Sequence, residues 1–192
     1  MKRYFMIALI LTIINWIAFL AVGLLGWYAG INALKGPVEH TLVKHIDAVK
    51  VILHNGSLLF VALLLFWLSS RKRYFSIIFV MIFLVETIGA MPIYLSFYHY
   101  NYVPLSHEMG VPYFKIVLSG AVHSFVELLG FNLIYASIVY AYIENVTRHI
   151  PLPEAFNRAW IASGYFKPLS FLLLIMAAIL EVFLPAQILK II

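Results

Sequence analysis

From Tyr4 to about Ala29 the chain carries no charged residue at all. A helix rises about 1.5 Å per residue and a bilayer core is about 30 Å thick, so about 20 such residues suffice to cross it. Five segments reach that length, at about 4–29, 50–70, 74–98, 114–142 and 168–189. The expectation is an all-α integral membrane protein, one transmembrane domain over 1–192 built as a bundle of about five transmembrane helices. The fourth segment is longer than needed, so it should tilt or break near Gly130.

Composition argues the same way. Hydrophobic residues make up 64% and charged residues only 11%, against about 45–50% and about 25% in soluble domains. A chain this short cannot hide that excess in a core, because small domains leave much of their surface exposed. Lipid is therefore the expected solvent. The start, Met1-Lys2-Arg3 before an apolar run, has the outline of a signal peptide. The run outlasts the roughly 7–15 residues of a signal core, and reads as an uncleaved first span.

The net charge of +5 does not indicate nucleic acid, since the basic residues fall mostly at the ends of apolar runs. There they set topology and meet anionic head groups. With no cysteine, disulfides, thiolate nucleophiles and cysteine-zinc sites are excluded. No serine-nucleophile motif, phosphate-binding loop or dinucleotide fingerprint is present.

With the N-terminus inside, Lys2, Arg3, Arg71, Lys72, Arg73, Arg148, Arg158 and Lys167 are cytoplasmic. Lys35, Lys44, Lys50, Lys115 and Lys190 are then outside. Eight against five favours a cytoplasmic N-terminus and an external C-terminus. One or two amphipathic helices should lie in the interface. One starts at Pro37 and places Val38, Leu42, Ile46 and Val49 on one side. The other starts at Pro153 and offers Phe156, Trp160 and Ile161 to lipid. The loop over 98–114, with its tyrosines, fits an outer aromatic belt.

Against this background a few polar residues stand out: Glu86, Glu127, Glu181, His123, Asn15, Asn55 and Asn132, with His54 nearer a span end. No Lys or Arg lies deep enough to neutralise the carboxylates. A charge at mid-bilayer costs about 2.5–3.5 kcal/mol on insertion scales, so such groups face the protein interior. Gly120, His123, Glu127 and Gly130 share one helical face, Glu86 lies beside Gly89 and Ala90, and Glu181 beside Ala177 and Ala178. Small residues let helix backbones approach and polar side chains bridge them. Counting rise from the span ends puts His123, Glu86 and Glu181 at a common depth, about 10–14 Å from the outer face, with Glu127 deeper.

Three readings compete for this cluster. In the first, neutral acids hydrogen-bond to His123 and Asn side chains and hold the bundle together. In the second, His123, Glu127 and Glu181 bind a divalent metal such as zinc, or relay protons, in a membrane transporter. In the third, Glu127 activates water beside a metal, giving an intramembrane hydrolase. A surface metal site at His40, His45 and Asp47 competes with plain solvated residues on an amphipathic helix, and His99, His107 and His149 fall in loops or interfaces.

Over about residues 50–190 the chain resembles the stage II sporulation protein M (SpoIIM-like) family of prokaryotic integral membrane proteins. His54-Asn55-Gly56 before a span resembles the family's Asn-Asn pair. Val122-His123-Ser124-Phe125-Val126-Glu127-Leu128 resembles its Pro-His-Gly-x-x-Glu-Leu motif, with Val122 for Pro and Ser124 for Gly. Leu174 to Pro185 resembles its final span, an alanine-rich run leading to Glu and Pro. The resemblance implies that Asn55, His123, Glu127 and Glu181 belong together. It also implies a non-catalytic membrane scaffold or assembly protein, acting with a membrane or envelope protein partner or as a homodimer in the cell membrane.

Overall fold

The computed structural model of the chain describes residues 2–33, 48–89, 106 and 110–191. The expected interfacial helix from Pro37, the residues His40, His45, Asp47, His99 and His107, and most of the 98–114 loop lie outside the described residues. Every described element is helical: α1 (Lys2–Ala33), α2 (Ala48–Ser69), α3 (Arg73–Leu84) continuing into a π-helical turn (Val85–Gly89), α4 (Tyr113–Arg148), α5 (Leu152–Ala162) and α6 (Phe166–Ile191). Among the described residues, three helices are long and apolar enough to cross a membrane: α1 over Lys2–Gly23, α2 over Ile52–Ser69, and α4. The count becomes four if α5 and α6, bent by 64° at their junction, form one broken span.

Local chemistry sets the boundaries. The α2–α3 turn is three residues long, and its backbone closes on Leu68 O, which accepts from Arg71 N at 2.9 Å and Lys72 N at 3.0 Å. Pro112 starts α4, where a missing N–H costs nothing. His149 ends it in the left-handed conformation, φ 53°, and Asn145 Nδ2 ties down the exit by donating to Ile150 O at 2.6 Å. Pro151 precedes α5 and Pro153 sits in its first turn. No break occurs at Gly130, and α4 is an unbroken helix of 36 residues.

That helix is the hub of the bundle, packing chiefly on α6 and α1 and then on α5. A seam of hydrogen bonds binds it to α1 in antiparallel order. Tyr4 Oη donates to Leu133 O at 2.9 Å, Trp16 Nε1 to Ala121 O at 2.9 Å, and Tyr113 Oη to Gly23 O at 2.9 Å. Between them Asn15 Nδ2 donates to Asn132 Oδ1 at 3.4 Å, and Asn132 Nδ2 to Thr12 Oγ1 at 3.3 Å. Against α6 the contact is steric. A Cβ on Gly130 would meet Leu174 Cδ2 at 3.0 Å and Ser170 O at 3.3 Å, so glycine sets this close approach.

An aromatic cluster unites α2, α3, α4 and α5 at the end where α2 stops. Phe66 stacks on Phe79 with ring centroids 6.0 Å apart and meets Trp160 edge-on at 5.0 Å. Phe156 closes the cluster 6.3 Å from Phe66 and 6.2 Å from Phe79. This corrects the expected lipid-facing surface of α5. Phe156 is 1% exposed, Trp160 is half-buried, and of the three only Ile161, at 71%, faces outward. The apolar face of α5 is consumed by the bundle, because the ends of α2 and α3 present aromatic rings that would otherwise lack cover.

Candidate functional site

The polar side chains of the apolar helices are distributed among three interfaces. At α2–α4, Asn55 is buried and its Nδ2 donates to Glu127 Oε1 at 2.7 Å. At α1–α4, Asn15, Asn132 and Thr12 form the chain of bonds described above. At α3–α4, Tyr135 Oη donates to a carboxyl oxygen of Glu86, and the Tyr135 ring lies against Phe83 and Phe79 with centroids 5.0 and 5.8 Å away.

Glu86 sits in the π-helical turn. A π turn inserts an extra residue into the helical repeat and so re-aims the side chains after it. Here the turn accompanies the direction of Glu86 towards Tyr135. Twelve residues of α4 separate Tyr135 from His123, about 18 Å of rise. The common depth expected for Glu86 and His123 is therefore not observed. The count placed His123 from the outer end of α4 and Glu86 from the inner end of α3, and assumed matched spans. With 36 residues, α4 overruns the core thickness, so depths taken from opposite ends do not meet.

Glu181 on α6 is half-buried, and its carboxyl lies within Coulombic range of Glu127. His123, one turn before Glu127 on α4, has an enclosed Nδ1 with no hydrogen-bond partner among the described residues. His54 is exposed, and Ser57 Oγ donates to its carbonyl at 2.7 Å. The structure thus brings Asn55, Glu127 and Glu181 into one neighbourhood, leaves His123 beside them without a bond, and carries Glu86 elsewhere.

His123, Glu127 and Glu181 do not converge as a ligand set. Among the described residues, no three His, Asp or Glu side chains come close enough together to hold a metal ion. His123 and Glu127 are separated along one helix, and the Oε1 of Glu127 is taken by the amide of Asn55. The expected zinc chemistry therefore has no pre-formed donor shell here.

Two polar contacts of the bundle were not anticipated from the sequence. Glu144 is buried and bonded to Arg148 Nε at 2.8 Å, a pair recognisable from its i, i+4 spacing. Tyr135, the partner of Glu86, carries no signal that separates it from the other tyrosines of an aromatic chain. Comparison with protein-family models, with curated proteins and with solved structures finds no match to this chain.

Proposed function

We propose that the chain is a non-catalytic, multi-pass membrane scaffold or assembly protein of the stage II sporulation protein M type. It would cross a prokaryotic cell membrane five times, with α3 and α6 as the third and fifth spans and the N-terminus in the cytoplasm. The observation that carries this reading is the bond from Asn55 to Glu127, which commits two of the four motif positions to each other across a helix interface. The Asn15–Asn132–Thr12 and Glu86–Tyr135 contacts follow the same pattern, polar groups spent on neighbouring helices. Such groups fix helix register. The lipid-facing remainder of the bundle then serves to dock the span of an envelope protein or a second copy.

A second reading has its own support. His123 Nδ1, without a hydrogen-bond partner among the described residues, lies one turn from Glu127 with Glu181 close by, and such buried titratable groups are of the kind that relay protons in transporters. Metal content of the purified protein, beside a His123→Ala/Glu127→Gln variant, separates the two when combined with a cation-flux assay in liposomes. Metal-free, flux-inactive protein that Asn55→Leu destabilises supports the scaffold. About one transition metal per chain, or flux above empty liposomes that the variant loses, overturns it.

A further inference from the structure

One end of the bundle is strongly basic. Tyr4 stacks on Phe166 and lies against Tyr140, Phe66 stacks on Phe79 and meets Trp160, and Lys167 lies over the Trp160 ring, so the starts of α1, α3, α5 and α6 and the ends of α2 and α4 lie together. This gathers Lys2, Arg3, Arg71, Lys72, Arg73, Arg148, Arg158 and Lys167 against two carboxylates, Glu144 and Glu154. Both carboxylates are already engaged, Glu144 with Arg148 at 2.8 Å and Glu154 with Arg158 at 2.9 Å. Six cations therefore have no carboxylate partner among the described residues.

Arg73 differs from the other five, because it lines a cavity of about 330 Å3 together with Asn145, Pro151, Leu152 and Pro153. That volume is at the lower end of ligand pockets, roughly 300–1,000 Å3. The walls are otherwise apolar or uncharged, so nothing in the lining opposes an anion. Neither α3 nor α5 has a side-chain cap on its first turn; α3 opens here and adds helix-end polarity of the same sign, while Glu154 in the first turn of α5 is paired with Arg158. By contrast, Arg71 lies over the Trp67 ring, 5.6 Å from its centroid, and Lys167 over Trp160 at 3.7 Å. These two cations are occupied as aromatic-belt anchors.

We infer that the cavity between the start of α3 and the α4–α5 turn binds a phosphate group, held by the Arg73 guanidinium. The planar fork of arginine matches phosphate oxygens in pairs, which an ammonium does not. Two sources can supply that group at this end, the head group of an anionic phospholipid or free inorganic phosphate.

Native mass spectrometry of the full chain in neutral detergent tests the inference, with phosphatidylglycerol, phosphatidylcholine and inorganic phosphate as probes. Phosphatidylglycerol should bind in preference to phosphatidylcholine, and Arg73→Gln should weaken it roughly fivefold or more. Arg73→Lys should fall between, and Arg71→Gln should bind as the wild type does. Leu152→Trp fills the cavity while leaving every charge in place, and should also abolish the preference. Displacement of the lipid by millimolar phosphate assigns the site to the phosphate group alone. Persistence of the lipid assigns it to the lipid head group. Equal losses in the Arg71 and Arg73 variants, unchanged binding in Leu152→Trp, or no preference over phosphatidylcholine would each overturn it.

Discussion

Asn55 and Glu127, 72 positions apart in sequence, meet at 2.7 Å between α2 and α4. The bond joins an amide donor to a carboxyl acceptor where neither has ready access to water, so the loss of one partner strands the other. Polar contacts between membrane helices measure about 0.6 kcal/mol on average and about 1.7 at most, while a stranded buried group costs about 1–3. A double-mutant cycle with Asn55→Leu and Glu127→Leu should therefore show each single variant less stable by about 1–3 kcal/mol and the pair by less than their sum. Glu127→Gln keeps the acceptor and should change little. Unfolding in mixed micelles reads these differences, and strictly additive losses would remove the bond from the account.

Two glycines give opposite expectations. Gly130 faces Leu174 and the Ser170 carbonyl at 3.0–3.3 Å from an added Cβ, whereas Gly56 has nothing within 4 Å. Gly130→Ala requires the Leu174 side chain and the Ser170 carbonyl to give by a few tenths of an ångström, and because Ser170 O is helix backbone it should cost about 1–3 kcal/mol. Gly56→Ala should be neutral or stabilising, by up to about 1 kcal/mol, because alanine is the better helix former. Equal effects at the two sites would mean that α4 and α6 do not approach as described.

The burial of α5 is tested by truncation. Phe156→Ala removes a ring from the aromatic cluster and should destabilise by about 3–5 kcal/mol. Ile161→Ala, on the outward side, should stay within about 0.5 kcal/mol. A helix lying free in the interface would show no such contrast.

Because the chain has no cysteine, single cysteines report sidedness without background. In intact cells an impermeant maleimide should label Pro112→Cys and spare Lys72→Cys, with the reverse in inside-out vesicles. The opposite pattern inverts the proposed topology, and labelling of both from one side contradicts a span between them.

Much of this was legible in the sequence, for physical reasons that vary by residue. An unbroken apolar run announces a helix whatever it packs against, and the long stretches at α1, α2 and α4 did so. The Asn55 and Glu127 positions were marked by being polar where polarity is expensive. Depth was not legible in the same way. Rise per residue gives distance along a helix, but the length of α4 shifts its register against α3, and Glu86 met Tyr135 instead of His123. The facing of α5 was equally hidden, since an amphipathic helix shows an apolar side without saying whether lipid or protein will cover it. Phe156 and Ile161 are both apolar, and only the aromatic ends of α2 and α3 decide between them.

The seam between α1 and α4 has a consequence for how the protein is made. The groups that satisfy Tyr4, Asn15 and Trp16 follow them by 129, 117 and 105 positions. During synthesis the first helix leaves the ribosome with its phenol, amide and indole donors exposed, and α4 is not yet translated. Until α4 arrives, those donors must be held at the interface or by the insertion machinery. The pause between the two helices is thus a window in which α1 is available to any helix that offers it carbonyls first.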